Sequence, residues 1–220
     1  MRPAMNIIGL IGKIGSGKSA VASILSEFGA LVVDADAIAH AALDLPDVHS
    51  RLVEYFGTSI VSNDGRINRH MLATIVFGST EKHTQARIAL ESIVHPEVFK
   101  QIQTQIAHVP SHTTIVLDIP LLLQAGYAKQ CSHLIEVLCD EAVRKRRLDL
   151  RGLSRSQQSA REAAWIAPRT DHALSLREFS AQRETTNCVS TIDTSGPLEN
   201  TRNLLASFWK ELLADPRSDR

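Results

Sequence analysis

The sequence predicts an α/β fold, a five-stranded parallel sheet flanked by helices. Three observations point to it. A short apolar run, NIIGLI at 6–11, leads into a glycine-rich loop and then a helix-period pattern. Apolar runs return at 30–33, 113–117, 133–138 and 189–192, too far apart for hairpins and suited to a parallel sheet with crossover connections. Between the second and third of these runs, residues 37–110 are mostly helical in pattern and read as an inserted helical subdomain.

Each element has a local cause. The helix expected over 18–28 puts Val21, Ile24, Leu25 and Phe28 on one face, and Gly29 stops it. The strand at 30–33 ends in Asp34-Ala35-Asp36. In the insert, a helix leads up to Tyr55-Phe56-Gly57, and Asn63-Asp64-Gly65 is a turn signal. Asn68 can cap a helix running to Phe77, with Gly78 as its stop. A helix over 80–94 is expected to break at His95-Pro96, and a second to start at Pro96 and fade before Pro110. The strand at 113–117 ends in Asp118-Ile119-Pro120. A basic segment with Arg144, Arg147, Arg151, Arg155, Arg161 and Arg169 separates the last two strands, and a terminal helix is expected over 198–213.

Composition narrows the function classes. The 220 residues carry 24 basic and 24 acidic side chains, a balance that argues against a nucleic-acid-coating role. Three cysteines without CxxC spacing argue against a disulfide framework or a zinc site and for a reduced, cytoplasmic setting. Lys13 interrupts the N-terminal apolar run before it reaches signal-peptide length, and no run approaches a membrane span. Neither a nucleic-acid nor a membrane partner is expected.

The chemistry concentrates in Gly12-Lys13-Ile14-Gly15-Ser16-Gly17-Lys18-Ser19, the Gly-x4-Gly-Lys-Ser pattern of a phosphate-binding P-loop. Glycines let backbone N–H groups turn around an anion, and a following helix N-terminus adds its dipole. The N–H groups of 14–19 should wrap the β-phosphate, Lys18 should reach the β- and γ-phosphates, and Ser19 should bind Mg²⁺. In open α/β sheets ligands bind at the carboxyl ends of strands, where Asp34, Asp36 and Asp118 fall. Phosphoryl transfer to a hydroxyl needs a metal-orienting carboxylate and a base. Ordinary loop capping is the rival account of these acids, and it is preferred for Asp34. The arginines suit a lid that closes over the transferring phosphate; the rival is a solvated helix.

Several blocks together resemble the dephospho-CoA kinase family. They are IGLIGKIGSGKSAV, FGALVVDADAIAH, DGRINRHMLATIVF, LESIVHPEVF, LDIPLLLQAG and STIDTSGPLENT, in family order from about residue 6 to 202. The resemblance implies a P-loop kinase fold with a helical substrate-binding insert and a lid. It divides the single domain into a core of 1–36, 111–143 and 184–220, an acceptor-binding insert of 37–110 and a lid of 144–183. It implies ATP-dependent phosphorylation of the ribose 3′-hydroxyl of dephospho-CoA, the last step of coenzyme A biosynthesis. The catalytic residues would be Asp36 as general base, Lys18 and Asp118, with Mg²⁺ held by Ser19 and Asp118. ATP would contact Gly12 through Ala20 along the loop, Arg147, and Ser195-Gly196 near the adenine. Asp36, Arg69 and His95 would face the acceptor. The sequence departs from the family pattern at Lys13, Ala20, His40, Gln124 and Thr194, where Gly, Thr, Arg, Glu and Asn are usual, and through the lid around Trp165. A kinase of another nucleoside or nucleotide acceptor, and a weakly active nucleotide-binding regulator, are the alternatives. A switch GTPase is not favoured, since no Asn-Lys-x-Asp motif is present. A monomer or weak homo-oligomer is expected.

Overall fold

A computed structural model describes residues 6–78, 80–110, 112–120, 122–123, 125–152, 158 and 188–214. Five strands form one parallel sheet: β1 (Ile7–Ile11), β2 (Leu31–Asp34), β3 (Ile115–Asp118), β4 (His133–Leu138) and β5 (Cys188–Asp193). Their spatial order is β2-β3-β1-β4-β5. The α/β class and the five-stranded parallel sheet are therefore those read from the sequence. β1 is the middle strand, pairing with β3 through Ile7 and Ile115 and with β4 through Ile8 and His133. Ile8, Leu10 and Ile11 are buried, as a parallel strand covered on both faces must be apolar throughout.

The chain divides into two compact units, Met1–Asp34 with Val109–Arg220, and Ala35–His108. In the first, α1 (Lys18–Glu27) and the terminal α7 (Leu198–Ala214) pack together against the sheet. Ile8, Leu10, Val21, Leu25, Ile135 and Leu205 belong to one apolar cluster, with the Phe28 and Trp209 rings 6.2 Å apart beside it. Cys131, in the same unit but outside that cluster, is buried, and burial pushes its thiol up to about 12, so it stays protonated and unreactive.

The same unit contains a helix that sequence reading absorbed into the basic segment: α6 (Glu141–Leu150). Asp140 starts it, its carboxylate accepting from the N–H groups of Ala142 and Val143 at 2.9 and 3.2 Å. Arg144 and Leu148 are buried one turn apart on its inner face. Most of the expected lid, including Arg155, Arg161, Trp165 and Arg169, lies outside the described residues.

The second unit is helical: α2 (Ala35–Ala42), α3 (Pro46–Phe56), α4 (Arg69–Val76) and α5 (Glu81–His108). Asn68 caps α4 as expected, its Oδ1 accepting from the Met71 N–H at 3.1 Å. The expected break at His95-Pro96 does not occur. α5 runs unbroken for 28 residues with Pro96 inside it. Pro96 removes one intrahelical donor. Burial on both sides of it compensates: Ala86, Ile93, Val94, Val98 and Ile102 form one stripe, and α5 packs against α2, α3 and α4. Tertiary packing of that stripe outweighs the local preference for a break.

Candidate active site

β1 ends at Ile11 and α1 begins at Lys18, so residues 12–17 form the entire connection. The loop is folded on itself. The Ser16 N–H donates to the Lys13 carbonyl at 3.1 Å, and the Gly17 carbonyl accepts from both Ala20 and Val21. Lys18 turns back over the loop, its Nζ donating to the Gly12 carbonyl at 2.8 Å and the Lys13 carbonyl at 3.5 Å. Among the described residues, no protein acceptor takes the N–H of Gly15 or Gly17. Unpaired backbone donors at a helix N-terminus are the elements of an anion seat.

The glycines serve a second purpose that sequence reading did not anticipate. Gly15 (φ +78°) and Gly17 (φ +98°) adopt left-handed backbone. A Cβ on Gly15 would lie 2.9 Å from Leu148 Cδ2 and 3.2 Å from Arg144 Cγ, both on α6. One on Gly17 would lie 3.1 Å from Thr194 Oγ1 and 3.4 Å from Arg147 Nη1. These positions therefore admit α6 and the end of β5 close against the loop, in addition to freeing its amides.

Two of those neighbours, Arg144 and Thr194, are polar and buried. Arg144 (3 % exposed) donates Nη1 to the Ile14 carbonyl at 3.1 Å. Its Nε and Nη2 grip Glu141 at 3.0 and 2.6 Å. That hydrogen bond from Arg144 holds the Glu141 carboxyl below the usual carboxylate range. Thr194 (4 % exposed) places Oγ1 2.5 Å from the Ser16 carbonyl and 3.1 Å from the Leu138 carbonyl. Arg147 donates Nη1 to Thr194 Oγ1 at 3.1 Å and Nη2 to the Thr194 carbonyl at 2.6 Å. It also donates Nη1 to Cys139 Sγ at 3.3 Å. Ser195 accepts the Asp140 N–H at 2.7 Å and bonds to Asp193 through both its N–H and its hydroxyl. These bonds from Ser195 keep Asp193 below its ordinary carboxyl value.

The remaining expected residues divide by unit. Asp118 ends β3 and Asp34 ends β2, and the two are register partners across the sheet. Asp36 lies in the first turn of α2 and is exposed. Arg69 opens α4 and His95 lies on α5, both exposed. Ser19, in the first turn of α1, is exposed; Gly196 follows Ser195 in the turn before α7. Glu141, Arg144 and Thr194 are the residues whose place at this site sequence reasoning did not see. Asp140 before an acid-led helical run was a usable signal for α6. The contacts themselves join residues 130 and 178 positions apart, which no local pattern encodes.

A divalent cation at this site would need oxygen donors. Among the described residues, no three His, Cys, Asp or Glu side chains cluster as a metal site. Magnesium does not require such a cage. It binds through oxygen, commonly one or two protein ligands with substrate phosphates and water completing its shell. The Ser19 hydroxyl and the Asp118 carboxylate are oxygen donors of that kind, and they fit.

Free amides beside a lysine ammonium, at the carboxyl end of the middle strand of a parallel sheet, place the molecule in the class of P-loop nucleotide-binding proteins. Comparison with known proteins narrows the class. The model of the family described as dephospho-CoA kinase matches residues 6–175. A dephospho-CoA kinase of Symbiobacterium thermophilum is 38 % identical over 94 % of this chain and 81 % of its own length. One of Carboxydothermus hydrogenoformans is 36 % identical over 93 % of this chain and 94 % of its own. The crystal structure of TT1252 from Thermus thermophilus superposes with a TM-score of 0.68 and 31 % identity, covering 95 % of this chain and 98 % of that one. A dephospho-CoA kinase from Campylobacter jejuni shares the fold with a TM-score of 0.60 at 21 % identity, over 94 % of this chain and 97 % of its own. The chain belongs to the dephospho-CoA kinase family, a family of kinases.

Proposed function

We propose that this protein transfers the γ-phosphoryl group of ATP to the ribose 3′-hydroxyl of dephospho-CoA, giving coenzyme A and ADP, the last step of coenzyme A biosynthesis. The observation that carries the reading is the loop after β1, with unpaired Gly15 and Gly17 amides beside Lys18, in a chain of this family.

Residues 12–20 seat the phosphates of ATP. Lys18 exchanges its two loop carbonyls for phosphate oxygens and holds positive charge where negative charge is transferred. Ser195 and Gly196 lie beside the adenine, and Arg147 stands at the nucleotide side. Ser19 and Asp118 would hold Mg²⁺, which when bound would neutralise phosphate charge. Asp36 accepts the proton of the 3′-hydroxyl as that oxygen attacks phosphorus in line with the leaving ADP oxygen. Arg69 and His95 contact the acceptor. Of the 144–183 expected as a lid, 144–150 belong to α6, where Arg144 and Leu148 are buried; the residues after α6 act as the lid that excludes water. The protein works in the cytoplasm. No helix among the described residues is long and apolar enough to cross a membrane.

The deciding experiment is a coupled ADP-release assay. Dephospho-CoA is offered against a panel of nucleosides and nucleoside monophosphates, with ATP and Mg²⁺ constant. ADP release confined to dephospho-CoA is the expected result. Turnover with another acceptor assigns the enzyme a different substrate. ADP binding without turnover on any acceptor makes the protein a nucleotide-binding regulator.

A further inference from the structure

We propose that Thr194 and Arg144 are positioning residues that orient the phosphate-binding amides from behind. This rests on the reading of the loop as the seat of the ATP phosphates. The reasoning starts from the peptide bond. It is planar and trans, so the carbonyl of one residue and the N–H of the next point in opposite directions within one rigid unit. A side chain that fixes a carbonyl therefore fixes the direction of the following N–H. Arg144 binds the Ile14 carbonyl, and the next amide is that of Gly15. Thr194 binds the Ser16 carbonyl, and the next amide is that of Gly17. Among the described residues, no protein group accepts from either of these two amides.

Bracing of this kind is needed because glycine is the most mobile residue in the chain. A peptide flanked by glycine can flip, turning its N–H away from the anion and its carbonyl toward it. Each brace is itself held. Glu141 takes two nitrogens of Arg144, leaving Nη1 for the Ile14 carbonyl. Arg147 donates to Thr194 Oγ1, so the hydroxyl proton is directed to a carbonyl. Arg147 thus acts through Thr194 in the nucleotide-free protein. Both braces are almost wholly buried, where a hydrogen bond is stronger and a lost one costs more. A preformed seat of amides needs no reorganisation when phosphate arrives. The prediction is therefore specific: without the Thr194 hydroxyl the protein keeps its fold and its acceptor affinity but grips the nucleotide less tightly.

The test uses the full-length protein and ADP with Mg²⁺ as the probe, read by titration calorimetry, with steady-state kinetics alongside. Thr194→Val keeps the shape and removes the hydroxyl. It should weaken ADP binding roughly ten-fold, the scale of one lost buried hydrogen bond. The KM for dephospho-CoA should change by less than about two-fold, since phosphate positioning alone is affected. Thr194→Ser restores the hydroxyl and should regain ADP affinity to within about two-fold. In an amide spectrum, the shift of the Gly17 N–H on adding ADP should shrink in T194V and return in T194S. Unchanged ADP affinity in T194V, or an equal loss in T194S, overturns the proposal. Should T194V not fold, Glu141→Gln decides, because the hydrogen-bond partner of that exposed carboxylate is Arg144. A loss of about three-fold in ADP affinity supports the brace and unaltered affinity overturns it. Failure of the unmodified protein to bind ADP removes the phosphate-seat reading itself, a result distinct from either variant's.

Discussion

The two units solve opposite problems. All six side chains that are polar or charged and buried among the described residues, Ser16, Thr114, His133, Arg144, Thr194 and Thr201, lie in the sheet-containing unit. The helical unit 35–108 buries apolar side chains such as Ile38, Leu52, Ile60 and Ile102, and leaves Asp36, Arg69 and His95, the residues proposed for the acceptor side, exposed. Buried polar groups demand partners and therefore fix a geometry. An apolar helical core needs only volume and pattern, and accepts substitution more readily. The difference teaches where precision is required. The proposed phosphate seat is built to a tight positional tolerance, and the helical unit offers side chains from a more forgiving scaffold.

The largest expected effect probes the rigid unit. Lys18→Ala should lower kcat/KM by about 10³-fold or more in the ADP-release assay, because it removes the positive charge at the transferring group. Lys13 is exposed and bound to the loop through its backbone carbonyl, so it does not replace Lys18. Retained activity would show that Lys13 substitutes, and that the loop is less sharply organised than the comparison holds.

A substitution in the second unit comes next. Asp36→Asn keeps shape and loses the proton acceptor, so kcat should fall about 10²-fold with ATP affinity nearly intact. An increase in the KM for ATP alone would make Asp36 a nucleotide ligand. The helical unit would then share the task assigned here to the sheet unit.

Two glycine substitutions compare the tolerance of the units directly. At Gly15 a methyl group would meet the Leu148 side chain at 2.9 Å in left-handed backbone. Gly15→Ala should cost about 3 kcal/mol, backbone strain added to overpacking, and weaken ADP binding as well. Gly65, in the helical unit, has φ +80° and nothing within 4 Å of the corresponding position. Gly65→Ala should cost only the strain, about 1 kcal/mol, and leave ADP binding alone. Urea midpoints and ADP titrations measure both. Equal costs would remove the contrast.

The smallest effect is acid-dependent. Glu141 and Asp193 have folded-state pKa values depressed below their ordinary 4.5 and 3.8 by hydrogen bonds from Arg144 and Ser195. A depressed carboxyl stabilises the fold fully above its ordinary value and loses that contribution as pH falls through the folded value. The urea midpoint should therefore be insensitive to these two groups above about pH 5 and decline below it. Glu141→Gln should flatten part of that decline. Both carboxyls are exposed in the folded protein, so screening keeps the change small.

Much of this molecule is written locally. The strand, glycine loop and helix of 6–28, the cap at Asn68 and the runs that became β3 and β4 rest on periodicity, caps and glycines within a few residues, and such signals survive in the sequence alone. The glycine spacing was legible as a phosphate loop, and the family blocks were legible in order. Tertiary structure decided the rest. Only the packed stripe of α5 shows that Pro96 does not end the helix, because burial of Ile93, Val94, Val98 and Ile102 against three other helices outweighs one missing hydrogen bond. Only the sheet order brings β5 and α6 beside the loop after β1, where Thr194 and Arg144 meet carbonyls 178 and 130 residues away. A threonine and an arginine carry no mark of such a partner in their own neighbourhood. Their roles come from directions fixed by a fold whose contacts, unlike its propensities, are not local.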